Sequence, residues 1–267
     1  MNPELLKTLE AWRLTEDTDT QTQIAALLER LLAAGLMRAS PCAVLLGEQY
    51  HLGGAEDTRR MAEALGLTRD DRVFDLACYV GGPARQLARE YGCRVVGVDF
   101  SKEHIAIADR LTQLCRMEDR VRFVCCDAES VPEPDGAFTV AWSQGSFPSD
   151  LSWLTEIHRL LVPGGRVAFT GLIRRSELCD PSRYSLDELR ERVAAYGFRV
   201  LSAEDISDFD LEYGWYPAKQ KLRENEEHCY RLMGEAWVRQ AYAELDIDIE
   251  SWRSGREGNG RIVAVRE

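Results

Sequence analysis

Four short segments hold the residues whose types and spacing could do chemistry. Ala77-Cys78-Tyr79-Val80-Gly81-Gly82 is a run of mostly small residues between an apolar stretch and a helix start. Bare backbone there can approach a ligand, and helix N–H groups favour an anionic group such as a carboxylate. Asp99 follows at the spacing of about twenty residues at which an acid accepts from both hydroxyls of a ribose. Asp127-Ala128 and Ser143-Gln144-Gly145-Ser146-Phe147 each close a further apolar run. Taken singly, these are turns, a helix cap or a solvated loop acid. Taken together, at these spacings, they read as a site for a nucleoside-bearing cofactor. Any proton transfer would need a base, and among four histidines His51, in the glycine-rich Gln49–Gly54 segment, is the candidate. His104 and His158 fall within helices and are expected to be solvated.

These residues must be positioned by strands and helices. Ile24, Leu27, Leu28, Leu31 and Leu32 form one helical stripe that Gly35 can end. A second helix carries Met61 and Leu65. From Arg72 the periodicity changes to short apolar runs: Arg72–Cys78, Arg94–Asp99, Val121–Asp127, Phe138–Trp142 and Arg166–Thr170. Between them lie helices with recognisable ends. Pro83 sits in a first turn, Ser101 at an N-cap, and Pro163-Gly164-Gly165 at a stop. Ser185 with Glu188 forms a capping box. Phe198–Leu201 starts a sixth strand, a helix through Tyr230, Met233, Trp237 and Tyr242 follows, and Ile262–Val265 is a last strand. This alternation predicts an α/β fold: a doubly wound, mostly parallel seven-stranded Rossmann-like sheet with an antiparallel last strand and helical lid segments. Such sheets bind ligands at the carboxyl ends of their strands, where the four segments fall.

Composition narrows the function classes. The chain has 267 residues, 45% hydrophobic and 29% charged, and a net charge of −12 from 33 basic and 45 acidic residues. That surface repels phosphate backbones and anionic lipid, so neither nucleic acid nor membrane is an expected partner. No apolar run approaches a membrane span, and Met1–Leu6 shows no leader pattern, so a cytoplasmic protein with reduced thiols is expected. None of the eight cysteines forms a C-x-x-C pair, so no metal site is expected. A small-molecule partner, neutral or cationic, remains; the oligomeric state is left open.

The motif text resembles class I S-adenosylmethionine-dependent methyltransferases. Within them it is most similar to the branch of sarcosine/dimethylglycine N-methyltransferases and tocopherol C-methyltransferases. The matching residues are Asp75-Leu76-x-Cys78-x-x-Gly81-Gly82-Pro83-Ala84-Arg85, Val96-Gly97-Val98-Asp99-Phe100-Ser101, Phe123-x-x-x-Asp127-Ala128-Glu129, Trp142-Ser143-Gln144-x-Ser146-Phe147 and Glu156-x-x-Arg159-Leu160-Leu161-x-Pro163-Gly164-Gly165. Tyr50-His51-Leu52-Gly53-Gly54 resembles the segment preceding the fold in this branch; the first 45 residues and 208–258 match only in placement.

The resemblance implies S-adenosylmethionine as cofactor and methyl transfer to an N, O or C atom of a small molecule. Gly81 and its loop would meet the methionine part, Asp99 the ribose, Asp127 and Ala128 the adenine, and Ser143 the sulfonium; Tyr50, Ala77, Tyr79 and Phe100 belong to the same site. Gln144, Phe147, Trp215 and Tyr216 would line the acceptor pocket. The implied division is an N-terminal helical lid over 1–66, a core of 67–207 with 259–267, and a helical insertion over 208–258 that lids the acceptor. The chain departs from the family at Ala77 and Tyr79, where two of three loop glycines are replaced, and at Gly145, where relatives often carry an acid. Tyr79 leaves two outcomes: the loop re-routes and its ring packs away, or the ring changes the pocket. The alternative function is therefore a methyltransferase-like binding module, or non-methylating use of the cofactor. An NAD(P)-dependent dehydrogenase fits the glycine pattern poorly.

Overall fold

The computed structural model describes residues 17–33, 45 and 48–267. Seven strands form one sheet in the order β3-β2-β1-β4-β5-β7-β6. They are β1 (Arg72–Leu76), β2 (Arg94–Asp99), β3 (Val121–Cys125), β4 (Phe138–Ser143), β5 (Leu161–Leu172), β6 (Phe198–Asp205) and β7 (Asn259–Arg266). The pairs among β1 to β5 are parallel, and β7 lies between β5 and β6, antiparallel to both. The expected fold class is the observed one.

Before the sheet come α1 (Thr18–Ala33) and α2 (Gly54–Leu65). Ile24 of the N-terminal stripe is buried; the side chains of Leu28, Leu31 and Leu32, the stop at Gly35, and the calls over 1–16 lie outside the described residues. Helices α3 (Gly82–Tyr91), α4 (Lys102–Leu114), α5 (Trp153–Leu160) and α6 (Leu186–Ala195) alternate with the strands. Ser101 accepts from the His104 N–H, and the Ser185–Glu188 capping box is complete, so both expected starts form.

Adjacent strand residues face opposite sides of a sheet, and the burial follows that rule. Phe74, Leu76 and Ala141 join Leu154, Ile157 and Phe198 on one face. Val73, Val140 and Trp142 join Met61 and Leu87 on the other. A third apolar cluster lies within the helices after β6, around Leu211, Ala218, Val238 and Leu245.

Two boundaries differ from the sequence reading. Strand β5 begins at Leu161, so Pro163-Gly164-Gly165 is a bulge inside it and not a helix stop; pairing runs Phe138↔Leu161 and then Val140↔Arg166. The bulge adds residues to one strand without ending the ladder. The single late helix is two, α9 (Glu226–Met233) and α10 (Glu235–Arg253), because Gly234, at φ 85°, breaks it. They are preceded by α7 (Ser207–Asp210), a π-helical turn at Leu211–Trp215, and α8 (Tyr216–Glu224).

Candidate active site

Parallel register brings the ends of β1, β2 and β4 side by side. Asp75 pairs with Gly97 and with Trp142, and the Cys78 N–H donates to Val98 O at 2.9 Å. The loop after β1 keeps a left-handed backbone even without its glycines: φ is 55° at Ala77 and 50° at Tyr79. The loop therefore does not re-route, and Tyr79 carries roughly 1 kcal/mol or more of backbone strain. Its ring is held between Tyr50, with centroids 4.9 Å apart, and His104, edge-on at 4.8 Å. Burial, then Tyr50 and Asp99, push its phenol up to about 12.

Asp99 lies beneath that ring, nearly buried. It accepts from the Tyr79 N–H at 3.1 Å through Oδ2, and from the Ser101 N–H at 2.9 Å through Oδ1. His104 Nδ1 stands 3.2 Å from Oδ1, so His104 is not a solvated helix residue as expected. A carboxylate has about four acceptor positions, so Asp99 retains capacity for ribose hydroxyls. Phe100 beside it is 83% exposed, a free apolar face at the strand end. Asp127 is exposed and accepts from the Glu129 N–H at 2.9 Å, while Ala128 packs against the main core.

Under this rim lie two buried polar atoms without a partner among the described residues, Asp75 Oδ2 and Ser143 Oγ. Burial first, then the charge of Asp99, push Asp75 up to about 8. Unpartnered buried oxygens cost stability, so they mark where a polar ligand group is wanted. Asp75 stands on the Trp142 face and Ser143 on the Ala141 face, so each calls for its own partner; an ammonium donating to Asp75, with ribose hydroxyls at Asp99, fits the set. Gly81 answers to packing first: a Cβ there would lie 2.3 Å from Phe123 Cζ, and one at Gly82 would lie 2.1 Å from Glu48 O. Arg85, fully buried, holds the same corner: it pairs with Glu48 at 2.5 Å and donates to Val80 O at 2.7 Å and to Thr112 Oγ1 at 3.1 Å.

A cavity of about 660 Å³ opens beside the rim, over the ends of β4, β5 and β7. Phe147, stacked on Phe169 at 3.8 Å, and Trp215 are in its wall. Gln144 is not. It is drawn into a buried network, where Oε1 accepts from Trp142 Nε1 at 3.0 Å and Thr58 Oγ1 at 3.1 Å, and Nε2 donates to Asp57. Tyr216 is also absent from the wall; it starts α8 and is 46% exposed.

His51 lines the cavity and is buried. Nδ1 lies 3.1 Å from Leu52 O; Nε2 lies 3.1 Å from Gln49 Oε1 and 3.2 Å from Thr58 Oγ1. Desolvation lowers its pKa, and Asp57, 3.8 Å away, opposes the drop. Both contacts to carbonyl oxygens require an N–H, which the neutral ring has only once. The surroundings are thus arranged to receive a second proton on His51. Asp57 itself is paired with Arg261, 204 residues away along the chain. Asp57, Thr58, Gln49, Arg261 and His104 were not singled out as site residues from the sequence; only their polar type inside otherwise apolar elements hinted at them.

A family described as a methyltransferase domain matches residues 73–165. Sterol 24-C-methyltransferase of Eremothecium gossypii is 29% identical over 242 residues, 83% of this chain and 61% of that protein. Glycine/sarcosine/dimethylglycine N-methyltransferase of Actinopolyspora halophila is 32% identical over 222 residues, 77% of this chain and 38% of that protein. The chain thus spans less than two thirds of the length of these relatives. The crystal structure of a putative sarcosine dimethylglycine methyltransferase from Galdieria sulphuraria superposes with a TM-score of 0.70 at 20% identity, over 80% of this chain and 85% of that one, and shares the fold.

Proposed function

We propose that the chain is a class I S-adenosylmethionine-dependent methyltransferase and transfers a methyl group from S-adenosylmethionine to a small-molecule acceptor, a reading supported by the methyltransferase-domain match over residues 73–165. The observation that supports this most directly is the pair of orphaned buried oxygens, Asp75 Oδ2 and Ser143 Oγ, adjoining Asp99 at the strand ends. S-adenosylmethionine supplies a methyl on a sulfonium, already activated, so the protein's task is placement and exclusion of water.

Asp75 holds the amino group of its methionine part, Ser143 stands near the sulfonium, and Asp99 holds the ribose. Phe100 offers its exposed face to the adenine, with Asp127 and Ala128 at the adenine's edge. The cavity beside them receives the acceptor, between the core of 67–207 with 259–267 and the helical insertion of 208–258. An O–H or N–H acceptor must lose a proton, and His51 takes it; the imidazolium is then met by Leu52 O, Gln49 Oε1 and Asp57. We place the protein in the cytoplasm; no described helix is long and apolar enough to cross a membrane.

Calorimetric titration with S-adenosylhomocysteine tests the reading. Asp99→Ala is expected to weaken binding by about 1.5–3 kcal/mol, the worth of hydrogen bonds to a charged group. Equal affinity in variant and parent would remove Asp99 from the site, and no binding to either would end the proposal.

A further inference from the structure

At the end of the cavity formed by the insertion, Trp215 Nε1 has no hydrogen-bond partner among the described residues, and Trp252 Nε1 makes no close bond, the Asp210 carboxyl being its polar neighbour. Both rings are more than nine-tenths buried and meet edge-on, with centroids 5.3 Å apart. Beside them Asp210 accepts from Asn259 Nδ2 at 2.7 Å, and both of these residues also line the cavity. Trp215 ends the π-helical turn that follows Asp210, closed by the Tyr216 N–H donating to Leu211 O. Asp210 and Trp215 flank that turn and both line the cavity; single π turns are frequent at functional sites.

Two of the charges around the cavity are answered by ion pairs, and a third, on the exposed Asp180, by hydrogen bonds. Asp57 is paired with Arg261, Arg183 with Glu257, and Asp180 accepts from Ser182. Asp210 is pushed up to about 7, burial being the largest cause, so near neutrality it is in part a neutral carboxyl able to donate. The rest of the wall mixes apolar side chains, among them Leu151, Phe169 and Ile206, with the polar Ser146, Thr170 and His51. Pockets of roughly 300–1,000 Å³ with this balance enclose drug-sized ligands, far larger than an amino acid.

Resting on the reading that this cavity receives the methyl acceptor, we infer that the acceptor is a neutral molecule of drug-like size, part apolar and part polar, that presents an oxygen to the indole N–H groups of Trp215 and Trp252. An ammonium has no lone pair for either donor and would leave both unpaired against a cation. A carbonyl, ether or hydroxyl oxygen accepts from both, and a hydroxyl can in turn donate to Asp210.

Two caged probes of nearly equal shape separate these chemistries: 2-adamantanone and 1-adamantylammonium. Each is titrated into the full chain, with and without S-adenosylhomocysteine, while indole ¹⁵N–¹H resonances are followed; W215F and W252F identify the two signals. The ketone is expected to shift both signals, and each Phe variant to bind it about fivefold more weakly, as for one lost neutral hydrogen bond. The ammonium is expected to bind at least about tenfold more weakly than the ketone and to shift neither signal. Ammonium binding as tight as the ketone's, full ketone affinity in both variants, or no ketone binding would each overturn the inference. The probe comparison in the parent protein needs no variant to fold. Because S-adenosylhomocysteine binding is measured separately, its failure with the ketone still bound would sink the cofactor reading and the acceptor role with it, while the cavity's preference for a neutral oxygen ligand would stand.

Discussion

Tyr79 holds a left-handed φ that costs a non-glycine residue on the order of 1–3 kcal/mol, and its neighbours must offset that. They do so through its contacts with Tyr50 and His104, each worth about 0.5–1.5 kcal/mol for a well-placed ring pair. Tyr79→Gly removes the strain and the contacts together, so stability is expected to change by no more than about 1 kcal/mol. Binding is the sharper readout. Loss of the ring frees His104 and the carboxylate beneath, and S-adenosylhomocysteine affinity is expected to fall by about tenfold, roughly the loss of one such contact. Tyr79→Phe keeps both ring contacts and is expected to bind like the parent. Calorimetry on the two variants decides it: unchanged affinity in Tyr79→Gly would show that the ring takes no part in the site.

Helix α3 is where element-level stability meets the site, because it begins at the loop that carries Tyr79 and Gly81. Its Arg85 is fully buried and every contact it makes reaches outside α3: Glu48 before the sheet, Val80 in the loop, and Ala108 and Thr112 on α4. A buried ion pair is weak evidence of net stabilisation, but breaking one leaves a lone charge in the interior at a cost of about 3–5 kcal/mol. Arg85→Leu is expected to destabilise by that amount in urea unfolding, with Glu48 left uncompensated. The double variant Arg85→Leu with Glu48→Leu is expected to recover much of the loss. If the single variant unfolds at the parent's midpoint, the pair holds nothing in place.

At the scale of the whole molecule, Asp75 and Asp210 are buried carboxyls pushed up to about 8 and about 7, well above the ordinary 3.8 of an aspartate. Between those limits the native state keeps protons that the unfolded chain has released. Their stabilising contribution is therefore fully present below the unfolded value and is lost as pH rises through 7 to 8. His51 runs the other way: its pKa is lowered, so its charged form opposes folding only as pH falls below its usual 6.5. Asp75→Asn isolates the first effect. Relative to the parent, it is expected to gain on the order of 1 kcal/mol per pH unit between about pH 5 and 8, read from denaturation midpoints across that range. A pH-independent difference would show that Asp75 titrates normally. The variant's gain in stability should come with weaker S-adenosylhomocysteine binding, because a neutral amide oxygen accepts more weakly from an ammonium than a carboxylate does.

The sequence alone determined the alternating elements, the order of the strand ends and the acids standing there, because these depend on local periodicity and on residues close together in the chain. Asp99 and Ser143 were legible because parallel strands of similar length end in one line, so a motif after each strand becomes a neighbour of the next, whereas Asp75 was matched as motif text without a role. What the loop does with Tyr79 was not legible. A left-handed tyrosine is tolerated only where outside groups hold it, and Tyr50 and His104 come from separate elements. The buried network was decided by tertiary structure for the same reason: Asp57 meets Arg261 across 204 residues, and Gln144 turns to that network and away from the cavity. Tyr216 drops out of the acceptor wall and Trp252 enters it because a π turn re-phases one helix and the break at Gly234 aims another. Side-chain periodicity records which face of a helix is apolar; only the packed molecule decides what that face meets.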